Sequence, residues 1–403
     1  MCRLCRITPA FFYLVLILGG AVNANDLSGY IGIEGRYFFD EPLFSGQSEH
    51  NASLASEFEY YRDLKEGDQR FVLTAKARID SEDSDRSHFD FNELYWWGVF
   101  DGCFGECEVY AGLRKIFWGV TESVHLVDII NQTDNLENID GEDKLGQSMI
   151  QLVSARDWGT LSAFIMPYFR ERQFVGEQSR LRAGFPVANT AQYQDSDEQQ
   201  HVDYAFRWSH YIDIWDIGLS HFVGTSRDPV FSANILPGAE VELLANYQQI
   251  EQTGLDLQAT IDTWLIKFEG VSIYEKSYGR RSAAAGGVEY SFFAVGGTSA
   301  DLGIVVEYQF DDRVEVRERT SQNDLVFGAR WAFNDLDGSE MLALISQDLE
   351  YGNRFFSLEL SRRLNDKWKI EAETRLFSNI NEESPEFDFR QDDYLQLELR
   401  RYF

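Results

Sequence analysis

The segment from Trp118 to Gln147 concentrates the groups of this chain that could do chemistry. It carries seven carboxylates, among them Asp128, Asp134, Glu137, Asp140, Glu142 and Asp143, against a single Lys144. Acidic groups at this density could hold a divalent cation or set the charge of an aqueous path. The register Asn138, Asp140, Gly141 within 136–147 resembles a calcium loop, but Leu136 stands at the first ligand position and Gln147 at the twelfth. Both positions need an oxygen ligand, the last a bidentate glutamate, so the EF-hand reading is rejected. The remaining acidic runs, Asp80–Asp85 and Asp195–Glu198, read as solvated loops. No metal site and no cofactor are expected.

Enzymatic constellations are missing as well. The six histidines, His50, His88, His125, His201, His210 and His221, are scattered, with no H-E-x-x-H, G-x-S-x-G or glycine-rich phosphate loop around them. No catalytic residue is assigned, and the chain is not expected to be an enzyme. Cys103 and Cys107 enclose a short Phe-Gly-Glu turn. In an oxidising compartment such a pair forms a disulfide that pins a hairpin, and structural zinc would require further ligands that are not at suitable spacing.

The elements that would carry these groups are strands. Arg70–Asp80 places Phe71, Leu73, Ala75, Ala77 and Ile79 on one face and Arg70, Thr74, Lys76 and Arg78 on the other. Leu302–Asp311 and Lys369–Phe377 alternate in the same way. About eighteen such segments, each near ten residues, run from residue 27 to 403. Every second connection is tight (Lys65–Asp68, Asp157–Gly159, Ile212–Asp213), while the intervening ones include the long polar stretches 80–87, 118–147, 171–200, 227–248 and 379–392. That parity, with 15% aromatic residues and seven prolines, predicts an all-β, antiparallel up-and-down transmembrane barrel of about 18 strands. Eighteen strands leave an aqueous interior.

The ends of the chain agree. Met1–Ala24 has basic Arg3 and Arg6, an apolar run from Ala10 to Val22 and a Val-Asn-Ala end, the pattern of a secretory signal, leaving 25–403 as the barrel. Removing those two arginines leaves 34 basic residues of the original 36 against 67 acidic ones, which excludes nucleic acid as a partner. The last ten residues, Tyr394–Phe403, put Leu395, Leu397, Leu399 and Phe403 on one face and Gln396, Glu398 and Arg400 on the other. A strand of this kind ending on a C-terminal Phe resembles the closing strand of bacterial outer-membrane barrels, where it marks the chain for the barrel-assembly machinery. Arg401 departs by falling on the apolar face, where its stem can snorkel.

Within 118–147, Val124, Leu126, Val127, Ile129 and Ile130 have no use in an exposed loop. The loop is therefore expected to fold inward and pack on the barrel wall as a constriction, with Trp118, Asp128, Asn131, Asp134, Glu137, Asp140, Glu142 and Asp143 as its site residues. The basic groups expected to face the lumen are Arg70, Lys76, Arg78, Arg114 and Arg330, joined by Arg363, Lys369, Arg375 and Arg400. Glu57, Glu59, Glu307, Glu359, Glu371, Glu373 and Glu398 share that face, so the wall mixes signs.

Gly112-Leu113-Arg114-Lys115, Trp118-Gly119, and Asp128-Ile129-Ile130-Asn131 with Asp134 resemble the Gly-Arg-Gln, Trp-Gly and Asn-x-x-Asp spacing of alginate-export porins and related proteobacterial outer-membrane porins of unknown substrate. Leu113-Arg114-Lys115 departs from the pattern, and the likeness covers about a quarter of the chain. It implies an eighteen-stranded channel with an inward-folded loop and leaves the substrate open. The expectation is an outer-membrane channel for passive passage of small hydrophilic solutes in a Gram-negative bacterium, in contact with lipid and lipopolysaccharide. The alternatives are an exporter of an acidic polysaccharide and a non-channel adhesin or structural barrel.

Overall fold

The computed structural model describes residues 27–102, 105–238, 241–315 and 322–403. The expected signal segment Met1–Ala24 and Cys103, one half of the expected disulfide, lie outside them. In chain order the strands are β1 (Leu27–Phe38), β2 (His50–Leu64), β3 (Gln69–Asp80), β4 (His88–Gly102), β5 (Gly105–Arg114), β6 (Gln147–Arg156) and β7 (Gly159–Met166). The short β8 (Gln192–Tyr193) precedes β9 (Asp203–Ile212), β10 (Trp215–Thr225), β11 (Val230–Ile235), β12 (Val241–Tyr247), β13 (Gln249–Ile261), β14 (Trp264–Glu275) and β15 (Gly279–Phe292). The series ends with β16 (Asp301–Asp311), β17 (Asn323–Ala332), β18 (Glu340–Asp348), β19 (Arg354–Asn365), β20 (Trp368–Ser378) and β21 (Tyr394–Tyr402).

Eighteen of these form one antiparallel sheet. Each pairs with the next, β7 passing to β9 and β10 to β13, and β21 returns to β1 with Tyr402 opposite Tyr30 and Tyr394 opposite Phe38. The sheet therefore closes on itself and has no free edge, the condition under which strands can cross a bilayer. Side-chain alternation follows from the pleat. On β1, Ile31, Ile33 and Tyr37 are exposed on the outside, while Glu34 and Arg36 are buried on the inside. On β16, Ile304, Tyr308 and Phe310 point outward, and Glu307, Gln309 and Asp311 are buried inward. A charged concave face with an apolar convex face inverts the order of a water-soluble sandwich and matches a wall set in lipid.

Short turns gather at one end of the barrel with the strand ends near Leu27 and Tyr402, and the long connections gather at the other. Three boundaries differ from the sequence expectation. β5 stops at Arg114 rather than near 117, because the Ile116 and Trp118 amides donate to Asn131 Oδ1 and Asp128 Oδ1 instead of a neighbouring strand. β7 stops at Met166 rather than 171, because the Phe169 amide donates to Gln199 O and the Arg172 amide to the Tyr247 hydroxyl. The expected loop 227–248 is largely a β11–β12 hairpin, which pairs in parallel with β8 and packs on Phe169.

The largest apolar cluster lies inside the lumen. Trp118, Val127, Ile129 and Ile130 from the 115–146 loop pack on Met149, Phe164, Phe222, Ile250, Val271 and Ile273 of the wall. Burying these aliphatic groups accounts for the inward fold, since apolar burial is worth ~25 cal/mol per Å². A second long connection, 167–202, crosses the mouth at the long-loop end. Its Arg180 donates to Asp392 Oδ1 at 2.8 Å and to the carbonyls of Asp40 and Gln391, and lies over the Phe38 ring.

Candidate functional site

The loop 115–146 is positioned by two carboxylates on the wall behind it. Glu269 on β14, fully buried, accepts from the Val120 amide (2.6 Å), the Thr121 amide (3.0 Å), the Thr121 hydroxyl (2.8 Å) and the Val127 amide (3.2 Å). Glu307 on β16 accepts from the Glu122 and Ser123 amides at 2.8 and 2.9 Å and from the Ser123 hydroxyl. Backbone donors that leave the ladder need acceptors elsewhere, and these two side chains provide them. The wall is shaped for the approach, since a Cβ on Gly254 of β13 would stand 3.1 Å from Val127 Cγ1; within the loop, one on Gly119 would stand 2.9 Å from His125 Nδ1. Neither carboxylate was singled out as an anchor from sequence, although each is an acidic residue at a lumen position with a small neighbour on the adjacent β15, Ala285 beside Glu269 and Gly287 beside Glu307.

The expected constriction residues divide into two groups. Trp118, Asp128, Asn131 and Asp134 are buried within the loop's own framework. Trp118 packs edge-on against Phe164 with centroids 5.6 Å apart. Asn131 accepts from the Ile116 amide and donates to the carbonyls of Arg114 and Leu145, tying the two legs of the loop together. Asp128 accepts from Trp118 and lies 3.6 Å from Lys144; burial pushes its carboxyl above the usual range despite that ammonium. Asp134 accepts from the Leu136 amide.

Glu137, Asp140, Glu142 and Asp143 reach outward from the loop. Glu137 meets Arg78 at 2.6 Å, Lys76 at 2.9 Å and His88 at 3.3 Å, and although burial opposes its charge these partners hold its carboxyl well below the ordinary value. Arg78 also pairs with Glu34, and Arg86 joins Glu34 and Asp80 in the same buried network. Asp140 pairs with Arg375 at 3.0 Å, which also meets Glu359 and Glu373. Burial pushes Asp140 up to about 6, against hydrogen bonding from Glu142 and the charge of Arg375. Glu142 meets His125 Nε2 at 3.1 Å, while Asp143 stays half-exposed, 4.0 Å from Lys76. Asp140 with Glu359 and Glu373, and His88 with Asp134 and Glu137, have ligand atoms close enough for a metal. In both places a protein cation already takes that role, Arg375 in the first and Lys76 with Arg78 in the second.

The basic residues expected in the lumen all lie on inward-facing positions by strand register. They do not join into a positive lane. Arg70 pairs with Asp63 at 2.6 Å, Arg78 with Glu34 and Glu137, and Arg330 with Glu122, while Arg114 donates to Gln151.

The docked loop leaves open space on both sides. A cavity of about 450 Å³ separates it from β17–β21 and β1. Eight carboxylates, including Glu340, Glu359, Glu371 and Glu398, and five basic side chains, including Lys369 and Arg400, line it, a net charge of −3. A second space of about 510 Å³ lies toward the short-turn end, between Trp118 and the β7–β13 wall.

Among solved structures, OccAB3 of Acinetobacter baumannii aligns over 94% of this chain and 99% of its own, with a TM-score of 0.52 at 11% identity. Wzi of Escherichia coli, described as an outer-membrane protein involved in Group 1 capsule assembly and a carbohydrate-binding β-barrel, aligns over 92% of this chain and 83% of its own. Its TM-score is 0.51 at 10% identity. The chain has the fold of outer-membrane β-barrels. A triple mutant of the Rhodopseudomonas blastica porin also aligns over 94% of this chain and 99% of its own, with a TM-score of 0.42 at 13% identity. No family model and no curated protein matches the sequence.

Proposed function

We propose that this barrel is a porin-like channel of a Gram-negative outer membrane, through which small hydrophilic solutes pass passively. The observation that carries the reading is the loop 115–146, held against one wall by Glu269 and Glu307 so that a polar space of about 450 Å³ stays open beside it. A barrel whose only task was structural would have no need for an ion-paired path along a narrowed lumen. The short-turn end would face the periplasm, the long connections the outside, and β21 would present the C-terminal strand to the assembly machinery. The outward apolar belt would contact lipid and lipopolysaccharide.

The rival reading, an exporter of an acidic polysaccharide suggested by the alginate-export resemblance, calls for a run of unpaired positive charge. The pairing of Arg70, Arg78 and Arg330 with carboxylates and the net negative lining of the gap between the loop and β17–β21 weigh against it. Reconstitution into planar bilayers tests the proposal. Discrete conductance steps are expected, and removal of residues 131–143 is expected to raise the step size, because the narrowest section sets the resistance. An absence of steps with correctly folded protein would leave the non-channel reading in place.

A further inference from the structure

We propose that the inward face of β2–β5 near the short-turn end is a stacking site for neutral pyranose sugars, an inference that specifies the solute class of the channel reading and rests on it. Strand register places Tyr61 of β2, Tyr95 and Trp97 of β4 and Tyr110 of β5 on the lumen side, with Tyr61 opposite Val72, Tyr95 opposite Val72 on its other flank, and Trp97 opposite Tyr110. Ring centroids lie 6.0 Å apart for Tyr95 and Tyr110 and 6.4 Å for Trp97 and Tyr110. Between β13 and β18 the inward positions among the described residues carry no aromatic ring; they are small, aliphatic, amide or charged, and the loop docks there. The rings therefore occupy the wall that the apolar cluster around the loop leaves free, and none of them belongs to that cluster. Tyr61 is 45% exposed, and the other three are partly exposed.

Aromatic rings facing an aqueous lumen lose the stabilisation that burial would give them, so their clustering needs a use. Their planes are fixed. Glu108 accepts from Trp97 Nε1 at 3.1 Å and from the Tyr110 hydroxyl at 2.6 Å, locking both rings to one carboxylate. The Arg114 guanidinium stacks over one face of the Tyr110 ring, 3.6 Å from its centroid, and holds that ring from behind. The rings are tilted to one another, by 54° for Tyr95 and Tyr110 and 41° for Trp97 and Tyr110, and so form a shallow apolar cradle edged by donors and acceptors. Such a cradle suits a pyranose, which has an apolar C–H face and an equatorial fringe of hydroxyls. The charged groups on this wall are engaged, Arg70 with Asp63, Arg114 with Gln151 and Glu108 with the Trp97 and Tyr110 donors, so a neutral ring is favoured over a charged one that would have to break these contacts.

The test uses the full barrel in an alkyl dimethylamine oxide detergent, which carries no sugar. Saturation-transfer difference NMR is recorded with maltotriose and with sorbitol, a linear polyol lacking the apolar ring face. Transfer to the maltotriose ring protons and much weaker transfer to sorbitol are expected. The double variant Trp97→Leu/Tyr110→Leu, checked for the barrel's resistance to dodecyl sulfate, should bind roughly tenfold more weakly. Phe327→Leu, on the lipid-facing side of β17, should bind as the parent does. Equal transfer to both polyols, or undiminished transfer in the folded double variant, overturns the site. Transfer without bilayer conductance would uphold the site while removing the channel reading, and conductance without transfer would do the reverse.

Discussion

At the residue scale the decisive group is Glu269, a buried carboxylate that serves a loop in place of a strand. It satisfies three amides and a hydroxyl that would otherwise be stranded, and an unsatisfied buried donor costs about 1–3 kcal/mol. Glu269→Ala should therefore release the 119–128 leg, although Glu307 and the apolar cluster still hold part of it. The expected outcome is a noisier open channel and new protease cleavage after Lys144, with an intact barrel. Glu269→Gln keeps one acceptor oxygen and should fall between the variant and the parent. A quiet, protease-resistant loop in Glu269→Ala would mean that apolar packing alone suffices. The cysteines allow a second check at this scale. Cys107 lies in β5 opposite Phe100, and non-reducing mass spectrometry of the mature protein is expected to find it joined to Cys103; two free thiols would refute the pairing.

At the element scale, the loop's docking is coupled to protonation. His125 packs edge-on against Phe117, meets Glu142 at 3.1 Å and lies 4.0 Å from Glu269. Burial opposes its charge, yet the two carboxylates outweigh burial and raise the imidazole to about 10. A histidine raised above its ordinary 6.5 when docked contributes stability that is complete below 6.5 and lost as pH rises through 10. Asp140, raised to about 6, favours the docked state on the acid side of that value. Both groups thus act in one direction, and channel noise should grow between pH 7 and 10. His125→Gln should flatten that rise; an equal rise in the variant would assign the effect to another group. The loop's inward fold was legible in sequence because Val127, Ile129 and Ile130 are too apolar for a solvated loop. Strand faces were legible too, since period-two alternation is local. The partners were not: Glu269, Glu307 and Arg375 meet the loop across 142 to 235 positions of chain, and no local pattern encodes which strand a loop will lean on. The β11–β12 hairpin was hidden because its short strands carry no clear alternation.

At the scale of the whole molecule, closure of β21 on β1 leaves no edge from which the sheet can unzip. The folded protein is expected to resist dodecyl sulfate at room temperature and to migrate more slowly after boiling; solubility without detergent would contradict a lipid-facing belt. The remaining whole-molecule property is charge selection. The gap between the loop and β17–β21 has a net lining charge of −3, and Glu340 there has no ion-pair partner among the described residues. A lining of one net sign raises the local concentration of the opposite ion, most strongly at low salt, where the Debye length approaches ~30 Å at 0.01 M. Reversal potentials in a potassium chloride gradient should therefore report a cation preference that fades as salt rises. Neutralising Glu340 and Asp143 together should move the potential toward zero. Removing residues 131–143 should do so further, because it takes away Glu137 and leaves Arg78 and Lys76 with fewer carboxylate partners on the path. Anion preference in the parent protein would place the conducting path elsewhere in the lumen and restore the case for a polyanion exporter.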